Sequence, residues 1–396
     1  MTYIQREIEA KIKGYLDVPE ILAIVGPRQA GKTTVVKHIL EHIPNTKSYT
    51  FENPTLAKEF ISAPDAFYER YIKGYAIVFF DEFQYVKNGG KTLKYIFDQY
   101  QGTKIIVSGS SAPDIAIQSL KYLVGRVFII EVFPLSLKEF ITFKDGRLGA
   151  MLFEEKSDIS AFFGDLQKYT EEYIRFGGYP RVVLAPQEEE KKEILSNIYS
   201  TLFLREVKDI AGLVETDKLE LLMKSISLIM GSVVEYKTLS EITGYTFLSI
   251  KKYIKLLRDA YIIIYVSPYF NNKLKEITKS PKIYYLDSGL RNFIVQDFRP
   301  LTLRTDAGAL FEQLFLKALG APTQDIHYWR DKKGNEIDFV RLEEALIPHG
   351  YECKLTFRQF SAQTESAFLA LHPQGKIHIG ALYGGGGKSG VAPWQV

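Results

Sequence analysis

The chain has 396 residues, 46% hydrophobic and 24% charged, a globular composition that excludes a disordered polymer. Its one cysteine, Cys353, excludes a disulfide scaffold and a cysteine-rich zinc module, and predicts a cytoplasmic protein in a reducing compartment. Lys and Arg total 50 against 47 for Asp and Glu; this net charge of +3 does not announce a nucleic-acid binder, but it can hide a local basic face. At about 100 to 200 residues per domain the length predicts two or three domains. No apolar run approaches the 18 or so residues of a membrane span, and the opening MTYIQREIEAKIKG lacks the apolar stretch of a leader peptide.

In chain order, apolar runs with strand character fall at 21–26, 47–53, 75–80, 104–109 and 126–133, with helical patterns near 32–43, 54–73, 91–101 and 112–121. Most of these runs are continuous rather than alternating, as in strands covered on both faces, so the segment reads as a parallel α/β sheet. From 135 to 230 the spacing turns helical, and EEEKKE (188–193) reads as a solvated helix start. Residues 232–283 read as a short helix, a glycine-containing turn, an amphipathic helix and a β-hairpin, the order of a winged helix-turn-helix. This segment holds nine Lys or Arg and four Asp or Glu, a net +5, so the chain's whole positive surplus sits in it. Lys251, Lys252, Lys255 and Arg258 fall on its second helix, where they would meet DNA phosphates or bases; a basic helix face of this kind serves solubility equally well. A helix follows over AGALFEQLFLKALG, then short strands at 326–330, 335–341, 349–355 and 376–382, and a glycine-rich tail expected to be flexible.

The strongest motif is GPRQAGKT at 26–33: Gly26, Pro27, Arg28, Gln29, Ala30, Gly31, Lys32 and Thr33, with Thr34 next. It follows the strand ILAIV and opens a helix, which is the context a phosphate-binding P-loop needs. Glycines let backbone N–H groups wrap the phosphates of ATP at the positive end of the helix. Lys32 would reach the β- and γ-phosphates, and the Thr33 hydroxyl would bind Mg²⁺. GGGGKS at 384–389 ends similarly, but Leu382 stands at the first glycine position, so it is no P-loop. The apolar run YAIVFF ends in Asp81 and Glu82: Asp81 would hold the Mg²⁺ shell and Glu82 would polarise the attacking water. After KIIVSGSSA, Ser110 reads either as a γ-phosphate sensor or, with Ser111, as a helix cap. Arg126 is the candidate for offsetting transition-state charge, in trans from a neighbouring subunit of a homo-oligomer, with a surface ion pair as the alternative; Arg28 and Arg181 are weaker candidates.

GPRQAGKT, FFDEFQ, SGSSAPDI, LVGRVFIIEVFPLSLKEF, RFGGYPRVV and KIYYLDSGLRN together resemble prokaryotic AAA-type ATPases of the archaeal-ATPase-like kind, over nearly the whole chain. The resemblance implies an AAA core, a winged-helix domain and a C-terminal domain similar to PD-(D/E)xK nucleases. It also implies that Gln84 of DEFQ couples the nucleotide to the sheet. The expected division is 1–185 for the ATPase domain, 186–300 for the helical region with the winged helix, and 301–396 for the nuclease-like domain.

A nuclease of that type needs carboxylates to hold Mg²⁺ and a lysine to orient water or phosphate. Glu312, Asp338, Glu352 and Lys354 stand in the right order, the last two on one strand face at period two, and Glu336 is an alternative to Asp338. An E-x-K also occurs by chance in charged strands. His38 and His42, at i and i+4 without an accompanying carboxylate motif, read as helix-surface residues. Three functions stay open: an ATP-hydrolysing DNA-associated switch or motor, a regulatory scaffold whose C-terminal domains bind proteins, and an ATP-regulated nuclease.

Overall fold

A computed structural model describes residues 2–109, 122–153, 160–201, 216–270, 279–343, 346–357, 361–383 and 390–396, with 274 and 276. Ser110 and Ser111, the predicted helix 112–121 and the GGGGKS segment lie outside the described residues. The chain divides into two compact units, residues 1–135 with 259–261, and residues 136–258 with 262–396.

The first unit runs α1 (Ile8–Gly14), β1 (Ile21–Val25), α2 (Lys32–Leu40), β2 (Thr46–Thr50), α3 (Pro54–Ser62), α4 (Pro64–Tyr71), β3 (Ile77–Asp81), α5 (Gly89–Gln99), β4 (Lys104–Gly109) and β5 (Val127–Glu131). The strands form one sheet in the order β2-β3-β4-β1-β5, every pair parallel. Continuous apolar strands are explained by where alternate residues go. Ile21, Ala23 and Val25 enter one core with Phe51, Phe60, Phe67 and Phe80, while Leu22 and Ile24 enter another with Val35, Ile39 and Phe79. The two edge strands are less covered: β2 is a largely exposed Thr-Lys-Ser-Tyr-Thr, and Phe128 and Ile129 of β5 face solvent.

One predicted helix, 54–73, is two. Asn53 caps the first by accepting from the Thr55 and Leu56 N–H groups; Ala63 leaves helical geometry (φ −144°, ψ 67°), and Pro64 starts the second. Proline disfavours helical geometry in the residue before it, so this break was signalled by Pro64 itself.

The second unit opens with helices, α6 (Leu137–Lys144), α7 (Gly146–Phe153), α8 (Phe163–Phe176), α9 (Pro180–Leu184), α10 (Glu188–Thr201) and α11 (Thr216–Leu228). Then come α12 (Tyr236–Thr243), Gly244 in the left-handed region closing it, α13 (Phe247–Asp259), β6 (Ile263–Pro268) and β7 (Lys282–Tyr285), followed by α14 (Ser288–Val295) and α15 (Ala307–Ala318). The remainder is β8 (Ile326–Arg330), β9 (Glu336–Leu342), β10 (Pro348–Thr356), α16 (Ala362–Leu371), β11 (Lys376–Tyr383) and β12 (Gly390–Val391). β6 and β7 pair antiparallel as the expected hairpin, with Ile263 opposite Tyr285. The hairpin does not stand apart. Ser267 and Pro268 of β6 pair in parallel with His327 and Tyr328 of β8, so a single seven-stranded sheet runs β12-β11-β10-β9-β8-β6-β7.

Two segments of the resemblance, RFGGYP and LDSGLRN, interlock inside this unit. Asp287 accepts from the Gly178 N–H at 2.8 Å and from the Leu290 N–H at 3.0 Å. Asn292 Nδ2 donates to the carbonyls of Ile174 (2.9 Å) and Arg175 (3.0 Å). The fit is close: a Cβ on Gly289 would lie 2.0 Å from the Phe176 carbonyl oxygen, and one on Gly177, at φ +78°, 2.1 Å from Asp287 Oδ1.

Beside it, buried Arg291 and Arg304 share Asp306, Arg304 through two bonds of 2.8 Å. Asp297 takes two guanidinium bonds from Arg299 at 2.9 and 2.7 Å, which pull its carboxyl down to about 2. Burial opposes ionisation of Asp306, but Arg304 and Arg291 outweigh it and hold its carboxyl below the usual range. A depressed carboxyl stabilises the fold above its unfolded value, near 4, and that contribution is lost as pH falls through the folded value. The thermal midpoint of this unit is therefore expected to fall between about pH 4 and pH 2. Asp306→Asn should lose about 3 kcal/mol at pH 7, because it strands buried Arg291, and should flatten the acid limb of a Tm-against-pH curve.

Candidate functional site

The P-loop lies where β1 ends and α2 begins. Gly26 has φ 142°, and a Cβ there would stand 2.1 Å from the Val132 carbonyl oxygen, so only glycine fits this turn beside the chain leaving β5. Gly31 (φ 94°) and Gln29 (φ 60°) complete the reversal, with Pro27 and Ala30 buried. Lys32 is 6% exposed, and its Nζ donates to the carbonyls of Gly26 (2.9 Å) and Pro27 (2.8 Å), so the ammonium lies inside the loop. Arg28 and Gln29 are half-buried, and Thr34 faces solvent.

Asp81 ends β3 on the same end of the sheet. The Thr33 hydroxyl donates to both of its oxygens, at 3.0 and 2.8 Å, which places together the two groups assigned to Mg²⁺. This oxygen pair beside the loop fits a hard divalent cation. The Ser108 hydroxyl, in β4 between β3 and β1, donates to Asp81 Oδ1 and accepts from the Glu82 N–H at 3.4 Å. Glu82 holds a left-handed backbone (φ 56°, ψ 47°) that costs a non-glycine residue free energy and turns it out of the strand. Gln84 Nε2 donates to Glu82 Oε2, so the glutamine named in DEFQ touches the catalytic candidate directly.

Two braces were not singled out from the sequence. Ser108 and Ser110 follow the same apolar run, and nothing in their local sequence separates them. Arg6 is buried and donates from Nη1 to the Ala30 carbonyl (3.0 Å) and from Nη2 to that of Phe133 (2.7 Å), tying the loop to the chain beyond β5. No local pattern marks a residue 24 positions before its partner.

Arg126 is not at this site in its own chain. It precedes β5 at the edge where β1 begins, one strand length, roughly 16 Å, from the P-loop end. There it pairs with Asp98 at 2.6 Å, the ion pair named as its alternative.

The second unit brings the C-terminal carboxylates into one electrostatic cluster. Tyr284 donates to Glu312 Oε2 at 2.8 Å, the Cys353 N–H donates to Asp338 Oδ2 at 2.8 Å, and Lys354 Nζ lies 2.6 Å from Glu352 Oε1. Lys282, which the sequence reading did not single out, enters from β7: its side chain is 3% exposed, with Nζ 2.5 Å from Glu336 Oε1 and 3.9 Å from Asp338 Oδ1. Burial and the neighbouring Asp338 push the Glu312 and Glu352 carboxyls up. Burial likewise pushes the Cys353 thiol well up, so it is an inert strand residue.

On α13, Lys251, Lys252, Lys255 and Arg258 are all exposed along one side, while Ile250, Ile254 and Leu257 are buried. Lys251 Nζ lies 4.5 Å from the Phe247 ring centre, and Arg258 lies over Tyr265 at 5.0 Å. His38 stacks on Tyr3, lies beside His42, and has Nδ1 3.9 Å from Glu41 Oε2.

A family model described as an AAA domain matches residues 18–141. That span holds the parallel sheet, the P-loop and the Asp81–Glu82 pair. Residues 18–141 are an AAA domain. Models described as domains of unknown function match 167–301 and 307–385 of the rest. An uncharacterized protein of Methanocaldococcus jannaschii is 28% identical over 372 residues, covering 90% of this chain and 79% of its own. One of Mycobacterium tuberculosis is 23% identical over 358 residues, covering 89% and 74%. Among solved structures, the Walker-type ATPase of Pyrococcus abyssi aligns with a TM-score of 0.47 at 14% identity, over 74% of this chain and 96% of that one. The AAA domain has the fold of an ATP-binding ATPase. No helix among the described residues is long and apolar enough to cross a membrane.

Proposed function

We propose that the chain is an Mg²⁺-dependent, ATP-hydrolysing AAA-type switch that acts on DNA through the exposed basic side of α13. The observation behind the ATPase reading is the Thr33–Asp81 contact beside a lysine held within its own loop. Lys32 exchanges two backbone carbonyls for the β- and γ-phosphates, a turn its flexible stem allows. Thr33 and Asp81 would hold Mg²⁺, which would supply neutralisation of phosphate charge. Glu82, aimed by its left-handed backbone and by Gln84, takes the proton of the attacking water. The loop N–H groups around Gly31 bind the phosphates at the start of α2. Arg126, half-buried at the far end of the sheet and paired with Asp98, would act only in trans within a homo-oligomer.

DNA is favoured as partner by the four exposed cations on one helix side, above the buried stripe of Ile250, Ile254 and Leu257. Lys251→Glu combined with Lys252→Glu is expected to weaken duplex binding on the order of 100-fold in low salt and to flatten the log Kd against log salt line by about two. Binding that is unchanged in the double variant sinks the DNA reading and moves the function to a protein-binding scaffold. Tight salt-insensitive capture of a protein would do the same.

A further inference from the structure

The cluster of Glu312, Glu336, Asp338 and Glu352 has the residue types of a divalent-metal site, but its geometry does not suit one. Among the described residues no three His, Cys, Asp or Glu are grouped so as to hold a metal ion. Five of the carboxylate oxygens are already engaged. Glu336 Oε1 and Asp338 Oδ1 face the Lys282 ammonium, Asp338 Oδ2 takes the Cys353 N–H, Glu312 Oε2 takes the Tyr284 hydroxyl, and Glu352 Oε1 takes Lys354. Glu352 Oε2 is buried without a hydrogen-bond partner, and protonation of that carboxyl satisfies it without an ion.

We infer that Lys282 is the resident cation of this cluster, standing where a nuclease-like fold would hold its divalent metal and keeping that metal out. Three features support this. Lys282 is 3% exposed, so its ammonium is inside the cluster and not at its rim. It is flanked by the Tyr328 ring at 5.4 Å and by two carboxylates, which together replace the water it has lost. It also comes from β7, across the sheet from β9 and β10 that carry Glu336, Asp338 and Glu352, so the hairpin supplies the charge that completes the C-terminal half. A divalent ion entering beside a fixed ammonium meets like charge at close range, and hard cations need several free oxygens that this cluster does not offer. The inference is independent of the ATPase reading.

The test is Mn²⁺ binding by the full chain without nucleotide, followed by paramagnetic resonance of the free ion. Asp81→Asn serves as the control that assigns any P-loop contribution. The wild-type chain should show no binding that Asp338→Asn removes, up to millimolar Mn²⁺. Lys282→Ala and Lys282→Gln should each gain one bound ion, with affinity raised at least about tenfold, and should lose it again when Asp338→Asn is added. Lys282→Arg should stay like wild type. Binding by the wild-type chain that Asp338→Asn abolishes overturns the inference. So does a folded Lys282→Gln protein that gains no ion. If both neutral variants fail to fold, the wild-type chain against Asp338→Asn still decides, since site-specific binding there overturns it.

Discussion

Glu82→Gln is expected to slow ATP turnover by on the order of 10²- to 10³-fold while leaving ATP affinity within about twofold. Gln keeps the length and left-handed backbone of Glu82 and its contact with Gln84, but it cannot accept a proton. The loss therefore falls on the chemical step and not on binding, so kcat drops at nearly constant Kd. Lys32→Ala should behave differently and lose the nucleotide itself, because Lys32 is the side chain placed within the phosphate loop. Measuring turnover beside equilibrium binding of a fluorescent ATP separates the two. A Glu82→Gln protein that hydrolyses at the wild-type rate would mean that another group activates the water.

The second large effect is on stability. Gly289→Ala is expected to cost about 3 kcal/mol and to lower the melting point of the second unit by roughly 6 to 12 °C. The reason is the Phe176 carbonyl: a methyl group 2.0 Å from that oxygen and 2.4 Å from its carbon meets backbone, which has no rotamer to move into. Relief requires parting RFGGYP from LDSGLRN, and that breaks the bonds of Asp287 and Asn292 as well. Gly308 supplies the opposite case. It lies in α15 with nothing within 4 Å of a Cβ, so Gly308→Ala should stabilise by up to about 1 kcal/mol through helix propensity. Calorimetry of the two variants checks both signs. A Gly289→Ala protein as stable as wild type would show that the two segments part without loss.

Local chemistry was legible because it is written in adjacent residues. The P-loop must follow a strand and open a helix within eight positions, and the Asp81–Glu82 pair must end a strand; both patterns survive in a single sequence. The C-terminal carboxylates could be listed in order for the same reason. What decides their behaviour could not. Lys282 and Tyr284 reach Glu336, Asp338 and Glu312 only because β6 joins β8, and no spacing along the chain announces that closure. Arg6 and Ser108 were likewise hidden, since an arginine in a charged segment and a serine in an apolar strand carry no address. RFGGYP and LDSGLRN stood out as motifs, yet their glycines and their Asp287 lock one to the other inside the fold. A conspicuous motif can mark a close approach of backbones as readily as it marks chemistry.

The pairing of Ser267 and Pro268 with His327 and Tyr328 also bears on how this chain can be divided. A cut near residue 300, between two matched family segments, falls in a loop but separates strands of one sheet. The N-terminal piece would leave β6 with bare N–H and C=O groups on its β8 side, and the C-terminal piece would present the matching bare edge on β8. Such edges pair with whatever strand they meet, so each fragment would be prone to aggregation. The C-terminal fragment would also leave behind the buried ammonium that balances its carboxylates. Neither segment is a complete sheet without the other.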